Sequence, residues 1–364
     1  MTAGAETGSE TNVTDRLEAL GEWLGPRLGS TGKVVTSGLE GPAATGYTAE
    51  TAIFSASYET TQGPVERRFV LRTEVPEPAT YPVQAPGIDI DIEIQYRVMS
   101  AVAGASTVPV PAILGFEPAP SVIGAPFFVM DFIEGEVPAV MPPYTSSGFF
   151  ADAEPVERSQ MITSGLQTLA DIHRIDWKSE GLGWLVPDGE KPTTSRQLAL
   201  WEQSGRTALG SRHHAPMERA AEILHRHLPE GSDPALCWGD ARPGNIIFNN
   251  ARCASVMDWE GASIAPPESD LAWWLMFDRT MHEGSGVERL LGEPTREEQF
   301  AIYEEAAGRR IEHIGLHELY AAYRYCVVVV KLSNRFVDKG ILPPDAEFWL
   351  DNPVVNTLNE LMDS

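Results

Sequence analysis

The sequence predicts an α+β protein of two lobes: a small antiparallel-sheet lobe, then a larger, mostly helical one. Three observations carry this. Between residues 34 and 75, short runs alternate apolar and polar residues, the period of half-buried strands. From residue 156 to residue 362, apolar residues recur at helical spacing in seven segments. The two regimes meet at residues 126–135, an apolar run closed by Gly135. Strands early and helices late is the order of a segregated α+β chain. The reading divides it into a disordered start (residues 1–12), a first lobe (13–133) and a helical lobe (134–364).

Composition narrows the function. With 364 residues the chain can bury a large core. Its formal net charge of −25 argues against nucleic acid or an anionic membrane as partner. The three cysteines (Cys237, Cys253, Cys326) are odd in number, and two lie in apolar β runs, which reads as buried thiols and not a disulfide framework. The first residues are polar and acidic, unlike a signal peptide, and the Val327–Val330 run is far too short to span a bilayer. The expected setting is cytoplasmic, as monomer or homodimer.

In chain order, Thr14 and Asp15 can cap a helix carrying Leu17, Leu20, Trp23 and Leu24. Strands follow at 34–39, 51–58 and 67–75, with a small-residue loop at 41–50 between the first two. Such a loop can aim backbone N–H groups at phosphate oxygens. A proline-rich link at 76–86 leads to a helix over 89–102, and the buried strand at 126–135 ends the first lobe. Residues 136–156 form a long loop, a length that usually serves a function. Helices are expected at 156–177, 193–209, 216–228, 268–283, 296–311, 316–338 and 344–362. His173 falls on the apolar stripe of the first of these and reads as a core residue.

The most informative stretch is 236–260. Ile246–Phe248 and Ala254–Met257 are short apolar runs separated by Asn249, Asn250, Ala251 and Arg252, with Asn suited to positive φ, so the pair reads as a β-hairpin. Residues equidistant from the turn oppose each other, which sets Asn245 beside Asp258. Asp240 lies on the loop feeding the first strand. One carboxylate plus one amide carbonyl suits Mg²⁺, and the second carboxylate is left as a base. No Cys or His is close enough in sequence to suggest zinc.

Trp238-Gly239-Asp240, Asn245, Asp258-Trp259-Glu260 and Pro267-Glu268-Ser269-Asp270-Leu271-Ala272 together resemble the motifs of the aminoglycoside phosphotransferase and phosphotransferase-enzyme family, which has the protein-kinase-like fold. The forms here look most like the branch containing kinase-like domains fused to acyl-CoA dehydrogenases. The resemblance implies that Asp240 is the base toward a substrate hydroxyl and that Asn245 and Asp258 hold Mg²⁺. Asp270 would accept backbone N–H bonds from the catalytic loop. Arg242 stands where protein kinases carry a Lys on the γ-phosphate, and it can equally be paired with a nearby acid. Glu260 replaces a Gly, as a metal-side carboxylate or a group orienting Arg242. Trp238 replaces the family's His.

In the first lobe the same resemblance puts Gly46, Tyr47 and Thr48 at the tip of the phosphate loop and Arg72 at the family's Lys position. Gln95 falls where the family has the partner Glu, with Glu93 on a different face of the helix. Met130 would line the adenine pocket, and the backbone of Asp131 and Ile133 would bond the adenine edge. The activity implied is ATP- and Mg²⁺-dependent transfer of a phosphoryl group to a hydroxyl of a small molecule. Asp278, Glu283 and Glu288 would suit an aminoglycoside. Trp273, Trp274, Phe277, Phe149 and Phe150 would suit a more apolar acceptor such as a hydroxyacyl thioester, with Arg206, Arg212, His213 and His214 as a basic handle for coenzyme A. Two other readings stand beside this one: a pseudokinase-like nucleotide-binding or regulatory module, motivated by Arg72 and Gln95, and a Mg²⁺-dependent phosphohydrolase.

Overall fold

In this computed structural model the described residues are 6–41, 50–84, 87–88 and 90–363. The chain divides into two compact units, one of residues 1–77, 88–100 and 111–133, the other of residues 78–87, 101–110 and 134–364.

The first unit carries α1 (Glu6–Leu28), β1 (Val35–Glu40), β2 (Glu50–Thr60), β3 (Gly63–Thr73), the start of α2 (Asp91–Ala105), β4 (Ile113–Glu117) and β5 (Phe127–Asp131). All neighbouring strands pair antiparallel, in the order β1-β2-β3-β5-β4. Alternation decides the faces. Phe54, Ala56, Phe69, Leu71, Phe127 and Val129 point to one side of the sheet and are buried under Leu20, Trp23 and Leu24 of α1. Each large side chain removed from water there contributes about 1.5–3 kcal/mol. The α1 helix begins at Glu6, so residues 6–12 are helical where disorder was expected, and Thr14 is not its cap. The β4 strand has no counterpart in the sequence reading. It is five residues hemmed in by Pro111 and Pro118, and pairing with β5 supplies what its own pattern does not. The Glu74 carboxylate accepts from the Asp91 and Ile92 backbone N–H groups (3.2 and 3.0 Å) and so caps α2.

The second unit holds α3 (Phe149–Asp152), α4 (Pro155–His173), α5 (Thr194–Leu209), α6 (Ala215–His227), β6 (Ala235–Cys237), β7 (Ile246–Asn249), β8 (Arg252–Val256), β9 (Ser263–Ala265), α7 (Glu268–Met281), α8 (Arg296–Ala307), α9 (Ile314–Asp338) and α10 (Pro353–Asp363). Two small antiparallel pairs, β6 with β9 and β7 with β8, sit among these helices. The α7 helix is buried on nearly every side, and its buried acids all find donors, as burial of charge requires. The last helix starts at Pro353 and not near residue 344. Pro suits the first helical position, and the Asn352 side chain accepts from Val354 and Val355 N–H (3.0 and 3.1 Å). Among the described residues no helix is long and apolar enough to cross a membrane, and the three cysteines are free.

Candidate active site

The hairpin forms as expected in outline. Asn250 and Ala251 make a two-residue turn with φ of 50° and 56°, the conformation that matches strand twist. Its register shifts by one between Phe248↔Cys253 and Ile247↔Ser255. That bulge advances the second strand, so the Met257 N–H bonds the Asn245 carbonyl (2.9 Å) and Asp258 follows one residue beyond. Counting evenly from the Asn249–Arg252 turn would set Asn245 opposite Val256, so the bulge brings Asp258 one residue nearer to Asn245 without forming the expected Asn245–Asp258 pair. Asp258 takes φ +60°, a left-handed conformation that Asp tolerates better than most side chains.

The loop between β6 and β7 presents Asp240, which is 6 % exposed. Its Oδ1 accepts from the Trp273 indole N–H (2.7 Å), and its Oδ2 from the Asn245 amide (2.6 Å). The Arg242 Nε lies 3.1 Å from both carboxylate oxygens. Burial draws the Arg242 pKa down, but the Asp240 charge outweighs it and the net shift is upward. The guanidinium also stands over the Phe277 ring (5.2 Å), and Phe277 packs on Tyr325 (4.7 Å).

Beneath the loop lies Asp270, fully buried. Its two oxygens accept from the backbone N–H groups of Trp238 (2.5 Å) and Gly239 (2.9 Å). His173 Nε2 lies 3.2 Å from Asp270, and Nδ1 lies 2.6 Å from the Tyr303 hydroxyl. His173 is buried, as expected, yet it also orients the group that holds the loop. Arg324 of α9 grips from another side, donating to the Gly239 and Ser269 carbonyls (3.0 and 3.2 Å) with its charge over the Trp201, Trp273 and Tyr320 rings. Sequence reading missed Trp273 as a donor to Asp240, Arg324 and Tyr303. Nothing local marks them, because their partners lie 33 to 130 positions away.

The donor set fits Mg²⁺. Both Asn245 amide hydrogens are directed to Asp240, at its carbonyl (3.0 Å) and its carboxylate (2.6 Å), so its amide oxygen, with the half-buried Asp258, is the donor a metal would take here.

In the first unit, Arg72 pairs across the sheet with Thr51, donating to its hydroxyl (2.7 Å) and to the Gln95 amide oxygen (3.2 Å). Gln95, 2 % exposed, is therefore the α2 residue that meets Arg72, while Glu93 pairs with Arg97 (3.6 Å). Gln95 supplies no counter-charge. Met130 is buried on β5, Asp131 ends that strand with its carboxylate on Arg67 (2.5 Å), and Ile133 lies just beyond. Gly46, Tyr47 and Thr48 lie outside the described residues.

The sequence pattern of the phosphotransferase enzyme family matches residues 54–318, a span that includes Arg72, Gln95, Asp240, Asn245, Asp258 and Asp270 and ends before Arg324. The chain belongs to this family. A candidate aminoglycoside phosphotransferase from Ralstonia eutropha JMP134 superposes with a TM-score of 0.67 at 23 % identity, over 95 % of this chain and 98 % of that one. Macrolide 2'-phosphotransferase MphH from Brachybacterium faecium gives 0.54 at 16 %, over 91 % and 99 %. The fold is thus the kinase-like one of the aminoglycoside phosphotransferases. Among curated relatives, mouse acyl-CoA dehydrogenase family member 10 is 32 % identical over 58 % of this chain and 20 % of its own length. Human member 11 is 30 % identical over 65 % and 29 %. The chain spans less than a third of either relative.

The residues weighed for acceptor recognition in this family member mostly have other duties. Asp278 is buried and bound by Arg289 and the Gln299 amide (2.8 Å). Glu283 and Glu288 are exposed. Trp273 and Trp274 are core residues, each 1 % exposed, the second donating to Gln299 (2.7 Å), and Phe150 packs edge-on against Tyr144 (4.9 Å). The four basic candidates each have a neighbour within the chain, two of them on the exposed surface. Arg206 pairs with Glu202 (3.9 Å), His213 with Glu218 (2.6 Å), His214 caps α6 with no exposure, and Arg212 bonds Asn334 (2.7 Å). Asp278, His282 and Glu293 cluster closely enough to hold a cation. Yet Arg289 already binds Asp278, and His282 bonds Glu293 (2.8 Å) with its pKa raised: burial lowers it, but Glu293 outweighs this. The charges therefore close without a metal.

Proposed function

We propose that this protein transfers the γ-phosphoryl group of ATP, as its Mg²⁺ complex, to a hydroxyl of a small molecule. The observation that carries the reading is the Asp240–Asn245 pair. One amide ties its nitrogen to the base and turns its oxygen to the metal side, so base and metal ligand are set by a single hydrogen-bonded unit. Asn245 and Asp258 would hold Mg²⁺, which supplies neutralisation of phosphate charge. Asp240 accepts the hydrogen bond of the acceptor hydroxyl and takes its proton as the oxygen bonds to the γ-phosphorus and the bond to ADP breaks. Arg242 gives up one Asp240 oxygen and turns its charge toward the transferring group. Arg72, with Gln95 against it, contributes a fixed positive charge for the α- and β-phosphates. A protein of the same fold, APH(4)-Ia, is known in complex with ADP and hygromycin B, which supports a nucleotide as donor.

For the acceptor, a hydroxylated metabolite such as a hydroxyacyl thioester is favoured over an aminoglycoside. Of the acids weighed for a polycation Glu283 and Glu288 are exposed, but the buried Asp278 is engaged by Arg289 and Arg242 puts a positive charge beside the base. The acyl-CoA named in the relatives agrees. The test is a screen of hydroxylated compounds, aminoglycosides, macrolides and hydroxyacyl thioesters included, for ATP-dependent mass gain of one phosphate. Asp240→Ala and Asp258→Asn should both abolish it. Retained turnover in Asp258→Asn would remove that residue from the metal site.

A second reading, a nucleotide-binding module with weak catalysis, draws on the Asp240 carboxylate being occupied by Arg242, Trp273 and Asn245. A thermal shift with ATP and Mg²⁺ but no turnover on any acceptor would favour it.

A further inference from the structure

The chain does something unusual between β3 and α2. Residues 78–87 leave the first unit and belong to the second. This strap is held mostly through its backbone. Lys331 Nζ donates to the Ala79 and Thr80 carbonyls (3.0 and 3.1 Å), and Arg335 to the Pro78 carbonyl (2.9 Å). Farther along, Arg196 donates to the Gln84 carbonyl (2.7 Å) and the Gln197 amide to the Gln84 side chain (2.8 Å). Two helices, α9 and α5, therefore fix the strap at both ends.

What the strap delivers is Tyr81, only 8 % exposed. Its ring meets Trp201 edge-on (5.8 Å). It also meets Gly261, the residue after Asp258-Trp259-Glu260. A Cβ placed on Gly261 would lie 2.8 Å from two Tyr81 ring carbons, too close for any side chain. Gly261 in turn sits against Gly239. There a Cβ would strike the Gly261 backbone, and φ is +94°, so glycine is required twice over. Gly239 directly precedes Asp240. The ring, the Asp258–Gly261 segment and the base-bearing loop are thus stacked in sequence with no slack between them. The phenol lies in the combined field of Asp240, Glu260, Arg242 and Asp258.

We propose that Tyr81 is a positioning residue of the phosphoryl-transfer site: the strap presses its ring onto Gly261 and so fixes the Asp258 segment against the Asp240 loop. This rests on the phosphotransferase reading above. The ring acts as a spacer. Its removal lets the metal-ligand segment drift from the base, and a displacement of about 1 Å at a reacting centre costs on the order of 100-fold in rate. Lys331 acts on the same geometry from a distance, through two carbonyls of the strap.

The experiment compares wild type with Tyr81→Phe, Tyr81→Ala and Lys331→Met. It measures the Mg²⁺ half-saturation and kcat of ATP turnover, with Tm alongside, and wild-type Mg²⁺·ATP binding by thermal shift as the reference. Tyr81→Phe keeps the spacer and should stay within about twofold of wild type, while Tyr81→Ala should lower kcat by about 10- to 100-fold and raise the Mg²⁺ half-saturation. Lys331→Met should move both parameters the same way by less. A merely structural role would lower Tm and leave the Mg²⁺ half-saturation of the folded fraction unchanged, and that result overturns the proposal. If Tyr81→Ala does not fold, Lys331→Met decides: an unchanged half-saturation overturns it equally. A wild type without any Mg²⁺·ATP response overturns the phosphotransferase reading itself, and the proposal with it.

Discussion

Asp270→Asn is the sharpest probe of how the catalytic loop is held. The change keeps the shape and removes one acceptor. Asp270 has no exposed surface, and its carboxylate takes the Trp238 N–H at 2.5 Å and the Gly239 N–H at 2.9 Å. An asparagine can serve one of these with its oxygen. The other N–H must then face an NH₂ group in a site closed to water. A hydrogen bond to a charged acceptor contributes about 1.5–3 kcal/mol, and an unsatisfied buried donor costs about 1–3 kcal/mol. Losing one bond and weakening the other to a neutral acceptor gives a destabilisation of about 3 kcal/mol. Turning the amide over only exchanges which backbone N–H, that of Trp238 or that of Gly239, is left without an acceptor. Urea unfolding read by tryptophan fluorescence should show the loss as a lower midpoint at unchanged slope. Turnover should fall with it, because Gly239 leads directly into Asp240. A stability change under about 0.5 kcal/mol, the size of an ordinary surface substitution, would refute the claim that these two bonds hold the loop.

Three further outcomes are expected. Trp273→Phe removes the indole donor to Asp240 Oδ1 (2.7 Å) but keeps a ring in the core, so kcat should drop several-fold with a stability loss of about 1 kcal/mol, measured by steady-state kinetics and urea unfolding. Arg72→Ala should raise the nucleotide KM more than it lowers kcat, and an unchanged KM would take Arg72 out of the phosphate site. His317 is fully buried, with neither ring nitrogen bonded among the described residues, and burial pushes its pKa from 6.5 down to about 4. The unfolded chain takes up this proton first, so stability falls as pH drops from about 6.5 toward 4, by about 3 kcal/mol at 1.36 kcal/mol per unit. His317→Phe should lose that part of the acid sensitivity, and superimposable stability–pH curves for the two proteins would refute it.

Much of the hairpin could be read directly, because its determinants are local. Asn250 tolerates a positive φ, the flanking runs alternate, and Asp240, Asn245 and Asp258 are close in sequence. The bulge was not legible. Neither strand's own residues demand it, and it arises where Asn245 and Met257 close their backbone bond at the end of the pair. The β4 strand escaped notice for a similar reason: five residues between prolines pair because β5 offers an edge. Helical phase said only that Gln95 and Glu93 cannot both face Arg72, and the structure shows the contact with Gln95.

The sequence by itself determined the two-lobed α+β class, most of its helices and the hairpin that carries the oxygen-bearing side chains of the site. Those follow from periodicity, turn chemistry and spacing over a few residues. Tertiary structure decided which groups surround Asp240. Trp273, Asp270, His173, Arg324 and Tyr81 converge on one loop from α7, α4, α9 and the strap. It also turned Asp278 and Trp274 from acceptor candidates into core. The reason is burial. A charged or aromatic side chain reads the same in sequence whether it faces solvent or a partner, and only the packing of distant elements supplies the partner that lets it be buried.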